Sequence, residues 1–329
     1  MNQDLEELII AVRGYTGVKR KLPIRQIVEK LRPTCAYGNP LPNYGDDAAV
    51  IPHGDEFLLL AADGMMTGLL IAEPYAAGKA SVMVTVNDIY SMGGRPMAMV
   101  NVLASGPEKQ RGLIVDGIAK GCAKLRVPMV GGHLHPDAPE MEPALSVAIL
   151  GRAKKILRSH LAAEGDDIIV AVDFSGRAGC RTVVSWDANS GKTPDQLLHR
   201  LEALPCIAEN ELSVAAKDIS NAGLLGTTAI MMENSGKGAD IDINAIPLPP
   251  DMALRQWVMC FQSYGFVLAV NSVDTPKVIK TFTDRNVTAA VIGRVTDTSL
   301  VTLIDGNDRM DLFDFNTDEI TGIRYNGAV

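Results

Sequence analysis

Residues 79–96 read KASVMVTVNDIYSMGGRP, and the reading of the whole chain turns on them. Val82, Met83, Val86, Ile89 and Tyr90 recur at the spacing of one helix face, and Pro74 upstream suits a first helical position. Gly93-Gly94 offers a C-terminal cap and Pro96 forbids continuation, so the helix ends there. Working outward, FLLLAA at 57–62 is expected as a strand stopped by Asp63-Gly64, and 97–104 as another. Pro107 opens a second helix to Leu125, with Leu113, Ile114, Ile118, Cys122 and Leu125 on one face. Strands are expected at 127–130 and 145–151, and two short helices at 4–13 and 24–31 precede everything else.

The pattern then restarts. KKILRSHLAAEG, from residue 154, is charged and carries no strand alternation, so the chain divides into 1–153 and 154–329. A buried strand is expected at 168–172, helices at 194–204 and 206–215, and a short strand at 217–219. A helix over 222–234, closed by Gly236 and Gly238, precedes strands at 239–244, 265–270 and 289–295. Strands and helices mix without strict βαβ repeats, which predicts an α+β fold.

Composition narrows the function. The chain of 329 residues is 47% hydrophobic and 21% charged, with a net charge of −8. An acidic surface repels a phosphate backbone, so no nucleic-acid partner is expected. No apolar run approaches the roughly 18 residues that span a bilayer, so no membrane partner is expected either. Acidic residues near the start argue against a secretory signal. Five scattered cysteines without a CxxC pair suit a reducing compartment. A soluble cytoplasmic protein is the expectation.

Four carboxylates of the first half stand beside glycine turns or a helix end: Asp46 and Asp47 in GDDAAVI, Asp63 in LLLAADGM, and Asp88 in the quoted stretch. Aspartates brought together repel, and a hard divalent cation with oxygen ligands resolves that repulsion. Gly-Asp-Asp and Asp-Gly also read as plain surface turns, and Asp88 as a solvated helix residue. Asn87 adjoins Asp88, and Lys79 lies two helical turns upstream of Val86, within reach of a phosphate or simply in solvent. Val130-Gly131-Gly132-His133-Leu134-His135 follows a strand, and paired glycines let a backbone approach a phosphate. Zinc would need further ligands that His53, His160 and His199 do not supply by spacing, so a turn with one hydrogen-bonding histidine is preferred. In KDISNAGLLGT (217–227) a strand end runs into a helix, with Ser220 or Asn221 as N-cap and Asp218 aimed at a metal. Ser190-Gly191-Lys192-Thr193 imitates a Walker A loop, but Trp186 stands where the motif needs glycine, so it reads as an ordinary loop.

The ordered set of GDDAAVI, the strand ending in Asp63, the 79–96 stretch, VGGH and DISNAGLLG resembles the AIR synthetase (PurM-like) superfamily over residues 40–295. KDISNAGLLGT and QSYGF (262–266) are most similar to its AIR-synthase-related branch, which includes methanogenesis marker protein 2. The resemblance implies an N-terminal ferredoxin-like domain whose strands pair across a homodimer into a β-barrel, and a C-terminal three-layer α/β domain. It also implies ATP and Mg2+ in the cleft and phosphoryl transfer to a small-molecule acceptor, by a kinase or an ATP-dependent ligase. Carried over by position, Asp46, Asp47, Asp63, Asp88 and Asp218 are the metal residues. Asp46, Lys79, Asn87, Gly131, Gly132, Ser220 and Asn221 would hold the nucleotide, and Asp47, Asp88 and His133 would act in catalysis. His133 and Asn221 stand where thiamine-monophosphate kinase would carry aspartate, and GYTGVKRK (14–21) lacks the reactive cysteine of selenophosphate synthetase. The chain ends in NGAV rather than in the carbamoyl-accepting cysteine of the hydrogenase maturation dehydratase. Activities like the first two, and a nucleotide-binding regulator without turnover, are the alternatives.

Overall fold

The computed structural model describes residues 3–38 and 44–325. The initial dipeptide of the acidic start and the terminal NGAV, both used above, lie outside the described residues. Helices α1 (Gln3–Gly14), α2 (Thr16–Lys19) and α3 (Ile24–Leu31) precede the first sheet. That sheet comprises β1 (Ala49–His53), β2 (Glu56–Gly64), β3 (Arg95–Ala104), β4 (Met129–His135) and β5 (Ala144–Ala153) in the order β1-β2-β5-β3-β4. All pairs are antiparallel except β3-β4. A parallel pair needs a crossover, which α6 (Glu108–Leu125) supplies. The short α4 (Thr67–Ala72) leads into α5 (Pro74–Ser91), the helix expected from residues 79–96.

Strand β5 alternates buried and open positions, so the sheet has one covered and one open face. Helices α5 and α6 lie close together because they meet through glycines. A Cβ on Gly78 would sit 2.0 Å from the Ile114 carbonyl oxygen, and one on Gly117 would sit 2.2 Å from that of Tyr75. Helix α5 packs on β2, β3 and β5 and also touches β9 of the second half, so it is buried nearly all round.

The second half contains β6 (Asp167–Val172), β7 (Arg177–Ala178), β8 (Ser185–Asp187), β9 (Ala215–Asp218), β10 (Gly238–Asp242), β11 (Phe261–Gln262), β12 (Gly265–Val270), β13 (Thr288–Thr296), β14 (Leu300–Asp305) and β15 (Asp308–Asp314). Seven of these form a sheet in the order β15-β14-β10-β13-β6-β12-β9, and β11-β8-β7 form a small one. Every residue of β6 and β12 is buried, so the large sheet is covered on both faces. Its helices are α7 (Pro194–Leu201), α8 (Ala203–Glu209), α9 (Gly223–Ser235), α10 (Leu254–Val258) and α11 (Thr275–Thr283). Among the described residues no helix is long and apolar enough to cross a membrane. All five cysteines are free. Among the described residues none of the three sheets closes into a barrel.

Three local expectations need correction. The helix expected over 206–215 ends at Glu209, because Glu211 takes a left-handed φ of 55° and the Leu212 N–H turns back to the Ile207 carbonyl; Ala215 then opens β9. Residues 131–133 are not a turn. Strand β4 runs through them beside β3, and Gly132 is needed there because a Cβ would lie 2.6 Å from the Asn101 carbonyl oxygen. Neither Ser220 nor Asn221 caps α9; Ala222 holds that place without a side-chain bond. Gly223 enters the helix at φ 72° with the Val258 carbonyl oxygen 2.3 Å from where a Cβ would stand.

Candidate functional site

The two sheets meet where α5 touches β9, and the carboxylates gather there. Asp88 projects from the last turn of α5, Asp218 ends β9, and Asp47 lies in the bend before β1. Carboxylate oxygens of these three lie within 4.8 Å of one another. Asp47 is held in place on both oxygens. The Ser91 hydroxyl donates to Oδ2 at 2.7 Å, the Asp218 N–H donates to the same oxygen at 3.1 Å, and the Lys217 ammonium pairs with Oδ1. Asp63, next to last in β2 and paired with Val147, points to the same face as Leu59 and Ala61 and adds a fourth carboxyl next to the cluster.

Crowding is written into the proton affinities. Burial, then the charges of Asp47 and Asp63 against the pull of Lys217, push Asp218 up to about 8. Burial and the neighbouring Asp63, Asp218 and Asp47 hold Asp88 well above the usual carboxylate range. Removal from water raises Asp63 as well, against Lys21. Lys217, between Asp47 and Asp218, is held above its ordinary value although burial opposes this. Three hard oxygen donors that cannot all ionise comfortably are a donor set suited to Mg2+, whose charge would relieve the repulsion.

The expected residues divide sharply. Asp46 does not join the cluster although it adjoins Asp47. Its Oδ2 accepts from Arg158 Nε at 2.5 Å and its Oδ1 accepts from the Ser159 N–H at 2.7 Å and hydroxyl at 2.8 Å, with His160 Nδ1 at 3.4 Å. These partners hold its carboxyl well below the usual range although burial alone would raise it. Asp46, expected as a metal residue, thus stands outside the three-carboxylate cluster, its oxygens committed to a buried ion pair that ties the bend to the segment after Ala153. Asn87 is also spent: its amide donates to the Ser263 carbonyl at 3.3 Å. Gly131, Gly132 and His133 lie on the edge strand β4; the register puts His133 with Val102 on the open face, where it meets His135. None of these three lines the cavity described next.

A cavity of about 410 Å3 opens beside the cluster, between α5 and the small sheet. Asp63, Arg20 and Lys21 line it near the carboxylates, and Lys79, Asn221, Asp187 and Ser190 line it elsewhere. Lys79 is engaged there, donating to the Ser190 hydroxyl at 2.7 Å with Asp187 Oδ2 at 3.6 Å. The decoy loop around Ser190 is thus a cavity wall. Sequence reading missed Lys217, Ser91, Arg20 and Lys21. Ser91 was within reach, since it follows Asp88 by three residues and shares its helix face.

The family model described as AIR synthase related protein, N-terminal domain, matches residues 45–153, and that for the C-terminal domain matches 164–306. Protein sll0787 of Synechocystis is 35% identical over 97% of this chain and 98% of its own length. The phosphoribosylformylglycinamidine synthase subunit PurL of Methanopyrus kandleri is 28% identical over 80% of this chain and 40% of its own. Among solved structures, Thermotoga maritima PurL complexed with ADP has a TM-score of 0.72 at 20% identity, over 86% of this chain and 47% of that one. The chain spans about half the length of the PurL chains it matches. AaThiL complexed with AMPPCP and TMP has a TM-score of 0.65 at 18% identity, over 87% of this chain and 96% of that one.

Proposed function

This chain belongs to the AIR synthase related family of the AIR synthetase superfamily, and from that premise we propose a Mg2+-dependent, ATP-using phosphotransferase or ligase acting on a small-molecule acceptor. One observation carries the reading: Asp47, Asp88 and Asp218, more than forty residues apart along the chain, present oxygens within 4.8 Å of one another beside a cavity. Bound there, Mg2+ would neutralise phosphate charge as it builds during transfer. Lys217 sets the position of Asp47, and Ser91 fixes its second oxygen. Solved relatives of the same fold were complexed with ADP or AMPPCP, which supports a nucleotide as the ligand.

In this reading the division at residues 153–154 separates the part carrying Asp47, Asp63 and Asp88 from the part carrying Asp218. The protein acts as a homodimer, in which the open face of the first sheet packs on its copy and completes a barrel. Leu60, Val100 and Val102 are 47%, 43% and 46% exposed on that face, an apolar surface that water does not favour. His133 has no role within a single chain's site. The five free cysteines fit a reducing cytoplasm.

The test is calorimetry with a non-hydrolysable ATP analogue, with and without Mg2+. Binding is expected only with the metal, and Asp47→Asn and Asp88→Asn are expected to weaken it at least about tenfold. Metal-independent binding, or unchanged binding in both variants, refutes the reading. Phosphate release with thiamine phosphate or with selenide separates those two acceptors from any other.

A further inference from the structure

We propose that the cavity beside the carboxylates is the acceptor pocket, and that it takes a small anion with an apolar body whose carboxylate or phosphate group is held by Arg20 and Lys21. This rests on the nucleotide reading above and adds the chemistry of the second substrate.

The position of the cavity comes first. It begins at Asp63, which lines it and whose charge is felt by Asp88 and Asp218. A molecule inside it can therefore bring an atom to a phosphoryl group held at the cluster, as transfer requires. A nucleotide base is separated from its terminal phosphate by a sugar and two further phosphates, so it has less reason to lie there.

Next, the charged groups of the lining fall into two sets. Lys79 is occupied by Ser190 and Asp187, and Glu73 accepts the N–H groups of Arg181 and Thr182. Arg20 and Lys21 make no hydrogen bond or ion pair through their side chains among the described residues. Their placement is nonetheless fixed. Gly17 of α2 abuts the loop between β9 and α9 so closely that a Cβ would lie 1.9 Å from the Asn221 carbonyl oxygen, and the Lys21 N–H bonds back to Val18. Lys21 is half-buried, and holding its charge partly out of water is a cost that an anion would offset. Elsewhere the lining carries apolar side chains, Met83 and Val84 from α5, Met65 after β2 and Trp186 and Phe261 from the small sheet, alongside the already engaged Lys79, Asp187 and Ser190.

The chemistry then closes. An oxygen of the bound carboxylate or phosphate attacks the γ-phosphorus of ATP and forms a new P–O bond. The bond from that phosphorus to the β,γ-bridging oxygen breaks, and ADP leaves with the electron pair. No proton has to move, so no general base is needed. What is needed is that the acceptor's negative charge be offset as it approaches, and Arg20 and Lys21 offset it within the cavity.

The experiment uses the full chain with Mg2+ and the non-hydrolysable ATP analogue already bound. Benzoate, benzyl phosphate, benzyl alcohol and benzylamine are titrated by calorimetry. At least one of the two anionic probes is expected to bind at least tenfold more tightly than the alcohol and the amine, and the better anion tells carboxylate from phosphate. Lys21→Met and Arg20→Ala should each weaken that anion at least tenfold, and Ala80→Phe should block it by filling the cavity. All three should leave the affinity for the Mg2+–analogue complex within about twofold. Equal binding of neutral and anionic probes, no binding of any probe, or loss of the nucleotide analogue in Ala80→Phe overturns the proposal. Failure of the wild type to bind the Mg2+–analogue complex instead refutes the nucleotide reading on which it rests.

Discussion

Replacing Asp218 by Asn should stabilise the metal-free protein while removing its response to Mg2+, and the size follows from the crowding at the site. Asp218 sits at about 8, far above an ordinary carboxyl, because it is buried among Asp47, Asp63 and Asp88. The sign follows directly: the folded state holds this proton more tightly than the unfolded chain. Its contribution to stability is complete below about pH 4 and is lost progressively as pH rises to about 8. About three pH units of that loss have accrued by pH 7, on the order of 4 kcal/mol at 1.4 kcal/mol per unit. An amide of the same shape avoids the loss and can donate to Asp47 or Asp88. Urea denaturation in EDTA should therefore show the variant within about 0.5 kcal/mol of wild type at pH 4.5, and about 2–4 kcal/mol more stable at pH 8. Adding Mg2+ at a hundred times its dissociation constant should raise the wild type by about 2.7 kcal/mol and the variant hardly at all. A variant less stable than wild type at pH 8 in EDTA, or a difference that does not change with pH, refutes the reasoning.

Three further outcomes test other parts of the structure. Arg158→Met strands the buried Asp46 carboxylate and should cost about 3–5 kcal/mol in urea denaturation, with Asp46→Asn in the same chain recovering most of it; no recovery means that the ion pair is not the cause. Gly117→Ala drives a methyl group into the Tyr75 carbonyl and should destabilise the protein by about 1–3 kcal/mol, whereas an unchanged midpoint would show that α5 and α6 separate freely. Val102→Lys puts charge on the open face of the first sheet and should shift sedimentation from dimer to monomer; a wild type that is already monomeric contradicts the pairing.

Helix α5 was legible because three signals agree: an apolar period, Pro74 at one end and Gly93-Gly94 at the other. Asp47, Asp88 and Asp218 were legible as a group only through the ordered motifs around them, because each alone, at a bend, on a helix and at a strand end, reads equally as an ordinary polar residue. What separates Asp46 from Asp47 could not be read, since adjacent identical side chains differ only in what the fold brings to them. Arg158, Ser159 and His160 come from KKILRSHLAAEG, which reads as a charged connector yet buries all three. Arg20 and Lys21 carried no signal in the sequence, because it is the contact of Gly17 with Asn221 that brings their segment to the cavity. Gly131-Gly132 misled for a related reason. Paired glycines mark turns, but here one of them admits the close approach of β3 within a parallel pair. The break between α7 and α8, expected at Pro205, falls three residues earlier at Glu202, since Pro205 lacks only the N–H that would bond back to Leu201 and is otherwise accommodated in the first turn of α8.

The central claim is that three distant carboxylates hold a divalent cation at the junction of the two sheets. Crystals grown with Mn2+ in place of Mg2+ and a non-hydrolysable ATP analogue test it most directly, through the anomalous signal of the metal. The account predicts a peak about 2.0–2.3 Å from oxygens of Asp47, Asp88 and Asp218, bridging to phosphate oxygens. Bound nucleotide with no anomalous peak at these three residues, or a peak held by other side chains, contradicts it.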